Sequence, residues 1–257
     1  MGYTNSSLVD VTILSPNTYG FRTHTLDTIT IHCTAGQTTA KNLGNLFAKK
    51  SRKASSNYGI GYDGSIGLYV SESKASQCSS NKANDQRAIT IEVSSTNQDP
   101  YPVTAEAYKA LIKLLTDICR RNPTIGKLKW HGDKKLIGKV SEQNMTVHRW
   151  FAAKACPGDY LYSRMGRIAA EVNANLDAPT DKGSEIQNGS VEYLVEVSVD
   201  NLNIRCGPGT NYSKTGTYMK PGVYTIVATA QGTGSKSGWG RLKSGAGWIS
   251  LDYAKKK

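Results

Sequence analysis

The pattern of apolar and polar residues changes character late in the chain. Up to about residue 176, β-branched segments that alternate with a period of two are followed by segments with helical periodicity. The segments TITIHCT (residues 28–34) and RAITIEVSS (residues 87–95) read as strands. The clearest helix, TAEAYKALIKLLTDICRR, is capped at Thr104. Alternating strands and helices predict an α/β or α+β domain built on a central mixed sheet.

Three weaker elements complete this first part. A short helix is expected after Thr38 or Thr39, which are candidate caps. The segment NYGIGYDGSIGLYVSE (residues 57–72) predicts a hairpin, because Asp63-Gly64 supplies the positive φ of a tight turn. The residues from Tyr160 to Leu176 predict a closing helix. The first domain is therefore expected over residues 1–176.

Residues 177–190 mark a change in composition. They are polar, rich in turn formers and without periodicity, which predicts a linker. Beyond them, over residues 191–257, short apolar-alternating runs are interrupted by GPGTN, KPG and GTGSKSG. Regularly spaced short strands with glycine-rich turns predict a second domain, a small all-β barrel.

Charge and cysteine content restrict the partners more than the fold. The 257-residue chain has a net charge of +12, scattered and mainly from lysine, so we expect no nucleic-acid partner but allow an anionic cell-wall polymer. No apolar run approaches the ~18 residues that span a bilayer, so we expect no membrane partner.

The N-terminal sequence lacks a secretory signal pattern. Five cysteines without a CxxC pair indicate synthesis in a reducing compartment.

The segment MTVHRWFAAKACPGDYL (residues 145–161) carries the chemistry. His148 and Cys156 are candidate metal ligands, and Lys154 precedes the sulfur by two residues. A second imidazole, His32, lies at the end of a predicted strand that could bring it to the same point. Two histidines and one cysteine are three protein ligands, which is the arrangement of a catalytic Zn²⁺ that keeps one position for water. Such a site lowers the pKa of that water towards ~7 and suits amide hydrolysis.

Hydrolysis of an amide also needs a proton carrier and a positive charge for the oxyanion. Glu92 is the predicted proton carrier, because a carboxylate on an otherwise apolar strand requires a partner or a function. Lys154 is the predicted cation, and Tyr58 in the hairpin is a second candidate donor to the oxyanion. His131 competes as a ligand but has no cysteine at a fixed spacing after it, so it is assigned to the groove or the scaffold.

TIHCTAG, NYGIGYDG, ITIEVS and VHRWFAAKACPG together resemble the type-2 N-acetylmuramoyl-L-alanine amidases, which are zinc enzymes related to peptidoglycan recognition proteins. The resemblance implies a mixed sheet flanked by helices and a zinc ion held by His32, His148 and Cys156. It also implies cleavage of the peptidoglycan amide between the lactyl group of N-acetylmuramic acid and L-alanine. Because branches of the family differ over whether a tyrosine or a glutamate moves the proton, Tyr58 and Glu92 both remain open.

The segments LNIRCGPGTNY, GTYMKPG, WGRLK and GWISLDY resemble bacterial SH3-like wall-binding domains, which implies that residues 191–257 hold the enzyme on the wall. An amidase joined to such a module looks like a phage endolysin. Such an enzyme is made in the host bacterial cytoplasm without a signal peptide and acts on the wall after release.

Three other functions are weighed against the endolysin. A host autolysin would use the same chemistry. A non-catalytic peptidoglycan-binding protein is disfavoured because all three ligand types are present. A thiol peptidase would need a cysteine beside a histidine, and Cys33 follows His32 on a strand, where neighbouring residues face opposite ways.

Overall fold

The computed structural model describes residues 3–177 and 192–257, apart from residues 206, 211 and 213. The chain divides into two compact units, one ending at residue 178 and the other beginning at residue 179. Residues 178–190 of the predicted linker lie outside the described residues, whereas Asp177 is the last residue of a helix. The exact domain bounds 1–176 and 191–257 stay predictions.

The first unit is built on a six-stranded mixed sheet in the order β1-β5-β4-β7-β3-β8, beside a two-stranded antiparallel sheet of β2 and β6. Pairs β1–β5, β4–β7, β7–β3 and β3–β8 are parallel, and β4–β5 is antiparallel. The strands are β1 (Val11–Thr12), β2 (Thr18–Phe21), β3 (Thr28–Cys33), β4 (Tyr58–Ile60), β5 (Ile66–Leu68), β6 (Lys74–Ser76), β7 (Ala88–Val93) and β8 (Met145–Val147).

Five α-helices accompany this sheet. The predicted helix after Thr104 is confirmed as α3, with Thr104 Oγ1 accepting the Ala107 N–H at 3.1 Å. The predicted closing helix is two helices, because the chain turns at residues 163 and 164 between them. The helices are α1 (Ala40–Phe47), α2 (Lys82–Arg87), α3 (Ala105–Arg121), α4 (Gly158–Tyr162) and α5 (Met165–Asp177).

Helices lie on both faces of the sheet. The main core joins the buried side chains of β3, β4 and β7 on one face to the apolar side of α3 and to α5. On the other face, α1 packs Leu43 and Phe47 against Tyr69. Gly59 of β4 allows this close packing, because a Cβ there would lie 2.5 Å from the Tyr69 ring and 2.7 Å from Leu43. The expected mixed sheet flanked by helices is confirmed.

The central parallel strands are buried along their whole length. Every residue of β3 is buried, as is every residue of β8, and β7 is buried except for a half-buried Glu92. Strands covered on both faces are rich in β-branched residues, which is the composition of TITIHC and AITIEV. The predicted hairpin is also confirmed, with Gly64 at φ +81 in the turn between β4 and β5.

The second unit is all-β, as the sequence predicts. Its strands form one antiparallel sheet in the order β11-β10-β14-β13-β12-β9-β15 over the described residues. A core of branched aliphatic side chains, including Val195, Val197, Ile226 and Ile249, lies beneath the sheet. The strands are β9 (Tyr193–Val197), β10 (Leu202–Arg205), β11 (Lys214–Met219), β12 (Gly222–Ala230), β13 (Trp239–Leu242), β14 (Trp248–Ser250) and β15 (Ala254–Lys256).

Among the helices of the described residues, none has the length and apolar character needed to cross a lipid bilayer.

Candidate metal centre

The candidate site lies at the carboxyl ends of three parallel strands. In the register of the sheet, His32 at the end of β3 stands opposite Glu92 of β7. Ile31 pairs with Val147, the last residue of β8, so His148 follows β8 at the same level. Side chains beyond the carboxyl ends of parallel strands share one crevice. The fold therefore brings together two histidines that are separated by more than a hundred residues in the sequence.

The loop after His148 brings Cys156 to the same place. The Arg149 backbone N–H donates to the Cys156 carbonyl at 3.0 Å, and the Arg149 guanidinium donates to the Ala155 carbonyl at 2.6 Å. The same guanidinium forms an ion pair with Asp159 at 2.8 Å. The Cys33 backbone N–H donates to the Cys156 sulfur at 3.4 Å. These contacts fix the direction of the thiol.

The three side chains form a compact donor set. Cys156 Sγ lies 3.4 Å from His32 Nδ1, and the His32 and His148 ring centroids are 5.0 Å apart. One ligand atom from each of these three residues lies within 4.8 Å of the others. A tetrahedral Zn²⁺ with ordinary Zn–S and Zn–N bonds would separate its sulfur and nitrogen ligands by about 3.6 Å. The distance between Cys156 and His32 is therefore close to the value that zinc requires.

Both imidazoles are held in the neutral form that binds metals. Burial, followed by the nearby His148, lowers the pKa of His32 to about 3. Burial and the cation of Lys154 also lower the pKa of His148. His148 Nε2 lies 3.0 Å from Ser80 Oγ, which fixes the ring orientation. Neutral imidazole is the ligand form, so these shifts favour the two histidines as metal ligands at neutral pH.

A cavity of about 380 Å³ opens next to the donor set. Glu92, His148 and Cys156 line it, together with Cys33 at the end of β3. Lys154 is exposed and lines the same cavity, as does Arg52. The side of α1 that includes Leu43, Leu46 and Phe47 also lines this cavity. An extended substrate could therefore lie between α1 and the loop that carries Lys154.

Glu92 lies at this site without a strong partner. Its Oε1 is 3.8 Å from Cys78 Sγ, and its Oε2 is buried with no hydrogen-bond partner. Burial, and then the nearby Cys33, raises the pKa of Glu92 to about 8. A carboxyl group with a pKa near neutrality can both accept and donate a proton, which suits acid–base chemistry.

Tyr58 does not lie at this site. It pairs with Ile91 across β4 and β7, whereas Gly59 pairs with Glu92, so the Tyr58 side chain points to the opposite face of the sheet. Its ring is fully buried there, and its hydroxyl donates to Glu72 Oε1 at 2.6 Å. The predicted placement of Tyr58 as a donor to the oxyanion is therefore wrong.

The other two histidines are outside the donor set. His131 and His24 are both exposed. The His131 backbone N–H donates to Gln143 Oε1 at 3.0 Å, and His24 Nδ1 is 2.7 Å from the carbonyl of Thr25.

Sequence reasoning missed two residues near the site, Cys78 and Ser80. Both follow β6 in a segment whose sequence shows no metal-binding spacing, so no pattern points to them.

Residues 22–159, more than half of the chain, match the model of a family described as N-acetylmuramoyl-L-alanine amidase. No curated protein matches the chain. One similar solved structure is that of AmpD, with 18% identity, coverage of 65% of this chain and 99% of that chain, and a TM-score of 0.49.

Two further solved structures are similar to the chain. N-acetylmuramoyl-L-alanine amidase LysC from Clostridium intestinale URNW has 17% identity, coverage of 64% of this chain and 97% of that chain, and a TM-score of 0.40. Drosophila peptidoglycan recognition protein SD has 20% identity, coverage of 62% of this chain and 94% of that chain, and a TM-score of 0.43.

Proposed function

The chain belongs to the N-acetylmuramoyl-L-alanine amidase family, and from this premise we propose that it is a zinc-dependent endolysin. The substrate is peptidoglycan, and the bond cleaved is the amide between the lactyl group of N-acetylmuramic acid and the L-alanine of the stem peptide. The observation that carries the zinc assignment is the 3.4 Å separation of Cys156 Sγ and His32 Nδ1, next to a cavity that Cys156 lines and that could hold a peptide.

His32, His148 and Cys156 are the proposed zinc ligands. Two neutral imidazoles and one sulfur form a donor set that suits Zn²⁺ and leaves one position for solvent or substrate. Bound zinc would supply Lewis acidity, which polarises the scissile carbonyl and favours loss of a proton from water. Ser80 Oγ holds the second nitrogen of His148, as groups behind a metal ligand commonly do.

Glu92 is the proposed proton carrier. Its Oε2 has no hydrogen-bond partner, so it can accept a proton from the attacking water. The protonated carboxyl group can then give that proton to the leaving nitrogen. The Lys154 ammonium lines the same cavity and is proposed to stabilise the developing oxyanion.

The second unit is proposed to be an SH3-like wall-binding domain. Its all-β architecture and the motifs LNIRCGPGTNY and GWISLDY support this role. Tethering raises the local concentration of an enzyme whose catalytic unit binds its substrate weakly. The net charge of +12 also favours association with anionic wall polymers. We expect the full chain to sediment with purified walls even after treatment with a chelator.

Substitution of the ligands tests the proposed chemistry. Cys156→Ala and His148→Ala should each abolish the release of free L-alanine amino termini from purified walls and lower the zinc content of the protein. His131→Ala is the matched control, because His131 is an exposed histidine outside the donor set, and it should keep both properties. Full hydrolysis by His148→Ala would contradict the proposal. Wall binding without cleavage by the untreated wild-type protein would instead support a non-catalytic peptidoglycan-binding role.

A further inference from the structure

A second group of potential metal ligands adjoins the first. One ligand atom each from His32, Cys78 and Glu92 lies within 4.8 Å of the other two. Cys78 Sγ and Glu92 Oε1 are 3.8 Å apart. A tetrahedral zinc ion with ordinary Zn–S and Zn–O bonds would place its sulfur and oxygen ligands about 3.6 Å apart. A small rotation of either side chain would therefore give the distance required for coordination.

The backbone around Cys78 is fixed by the protein itself. The Asp85 carboxylate accepts the Cys78 backbone N–H at 3.1 Å and the Ser79 backbone N–H at 3.2 Å. The Ser79 hydroxyl donates to the same carboxylate at 2.6 Å. Asp85 belongs to α2, which Asn81 caps by accepting the Asn84 N–H at 2.9 Å. This loop therefore holds Cys78 beside Glu92 without the help of an ion.

Two polar atoms of this group are buried and unpartnered. His32 is fully buried, and its Nε2 has no hydrogen-bond partner, nor has Glu92 Oε2. A buried polar atom without a partner is uncommon and energetically unfavourable. Most of the polar side-chain atoms buried in the described residues are satisfied, so two unpartnered atoms from adjacent strands in one group are unusual. A cation that takes the place of the His32 Nε2 proton and binds the Glu92 oxygen would satisfy both atoms.

We propose that Cys78, Glu92 and His32 form a second binding site for a thiophilic divalent cation such as Zn²⁺, and that its occupation inhibits hydrolysis. The proposal rests on the proposed function, because inhibition follows from capture of the Glu92 carboxylate, which then cannot move a proton. Binding displaces to solvent the Cys78 thiol proton, the proton of the Glu92 carboxyl group and the remaining ring N–H proton of His32, which then bridges the two ions as an imidazolate. The cation of Arg52 lines the same cavity, and the site shares His32 with the first centre. Both features weaken the second site, so it fills only at excess zinc.

The test is a zinc titration of the full chain with three measurements. These are the zinc content per chain, the rate at which iodoacetamide labels Cys78 as mapped by mass spectrometry, and the release of L-alanine amino termini from walls. We expect one zinc per chain at low free zinc and two at high free zinc. As the second zinc binds, Cys78 labelling and wall hydrolysis should each fall at least about tenfold.

Cys78→Ala separates the second site from the first. The variant should keep one zinc, and relative to its own rate with one zinc bound, inhibition should require at least about tenfold more zinc, since even residues behind metal ligands change affinity by 10–100-fold. Cys119→Ala is the matched control, because Cys119 lies in the core on α3 and should leave the inhibition unchanged.

Two outcomes would overturn this inference while leaving the proposed function intact. One is a single zinc at every concentration with constant labelling of Cys78 in the wild-type protein. The other is unchanged inhibition of Cys78→Ala. The wild-type labelling experiment decides the question even when a variant does not fold. By contrast, a protein that binds no zinc and hydrolyses walls in the presence of a chelator would contradict the proposed function itself.

Discussion

Two glutamates of the first unit have opposite surroundings. Glu72 has a side chain with 0% exposure, and its carboxylate accepts hydrogen bonds from the Tyr58 hydroxyl at 2.6 Å, from the Arg121 guanidinium at 2.7 and 3.1 Å, and from the Asn122 amide at 3.0 Å. Glu92 Oε1 lies 3.8 Å from the Cys78 sulfur, and Glu92 Oε2 has no hydrogen-bond partner among the described residues. The Glu72 side chain is fully buried and Glu92 is half-buried, and the two carboxyl groups differ completely in hydrogen bonding.

This difference indicates that Glu72 stabilises the fold, whereas Glu92 is available for catalysis. Because the Glu72 carboxylate is fully paired, it stabilises the chain segments that it joins and has no free lone pair for a substrate. Glu92 is held by its strand rather than by partners, so its burial is unfavourable to folding but its oxygen is available to react. A carboxyl group in a cavity whose pKa is raised by burial is a mark of a functional site.

The largest expected effect is on catalysis. Glu92→Gln keeps the size of the side chain but cannot move a proton, so hydrolysis of purified walls should fall by about 10²–10⁴-fold. The melting temperature should not fall, because the substitution replaces a carboxyl group that is buried without a strong partner. The two measurements are amino-terminus release and thermal unfolding on the same preparation. Unchanged hydrolysis would exclude Glu92 as the proton carrier.

The corresponding substitution on the other face should affect stability instead. Glu72→Gln places an amide donor among three donor groups and leaves Arg121 with Asp117 as its remaining carboxylate. Removal of one partner of a buried ion pair lowers the free energy of unfolding by about 3 kcal/mol or more. We expect the lower value, about 3 kcal/mol, because Asp117 still faces the Arg121 guanidinium. Denaturant unfolding should show this loss, while the folded fraction keeps its hydrolysis per molecule. A stability equal to that of wild type would show that the pair contributes little.

The faces of the sheet on which Glu92 and Tyr58 lie show what could and could not be predicted from the sequence. Alternation within RAITIEVSS correctly places the Glu92 and Ile91 side chains on different faces of the sheet, because a strand has a period of two. Alternation cannot say which residue of β4 joins which face, because that depends on the register between β4 and β7. The register pairs Tyr58 with Ile91, so the Tyr58 side chain lies on the face of the sheet away from Glu92, where its hydroxyl contacts Glu72. A local pattern carries no information about such pairing.

The candidate ligands were predictable for a different reason. His32 ends a strong strand pattern and Cys156 stands beside Pro157, so each carries a local signal. Cys78 and Ser80 follow β6, a strand of three residues without a clear pattern, and they reach the site only through the fold. The prediction of one closing helix missed the turn before α5. Helix boundaries depend on local hydrogen bonds that sequence periodicity does not report.

A pH titration of the metal-free protein sharpens the comparison. The pKa of Glu92 is raised from 4.5 to about 8, so the folded state keeps a proton that the unfolded chain releases. The contribution of Glu92 to the free energy of unfolding is therefore fully present below about pH 4.5 and is lost, by a few kcal/mol, as the pH rises through about 8. Glu92→Gln should remove this slope when chelated samples are unfolded with denaturant. Equal slopes for the two proteins would contradict the burial of an unpaired carboxyl group.

The smallest expected effect concerns Tyr58. Tyr58→Phe removes one of the four hydrogen bonds to the Glu72 carboxylate and the acceptor of the Ser6 backbone N–H at 2.8 Å. Hydrogen bonds to charged groups contribute about 1.5–3 kcal/mol, and the lower value applies because Arg121 and Asn122 still hold the carboxylate. Unfolding experiments should show a loss of about 1.5 kcal/mol, and hydrolysis per folded molecule should equal that of wild type. A large loss of hydrolysis without loss of stability would place Tyr58 in the chemistry and contradict the separation of the two faces.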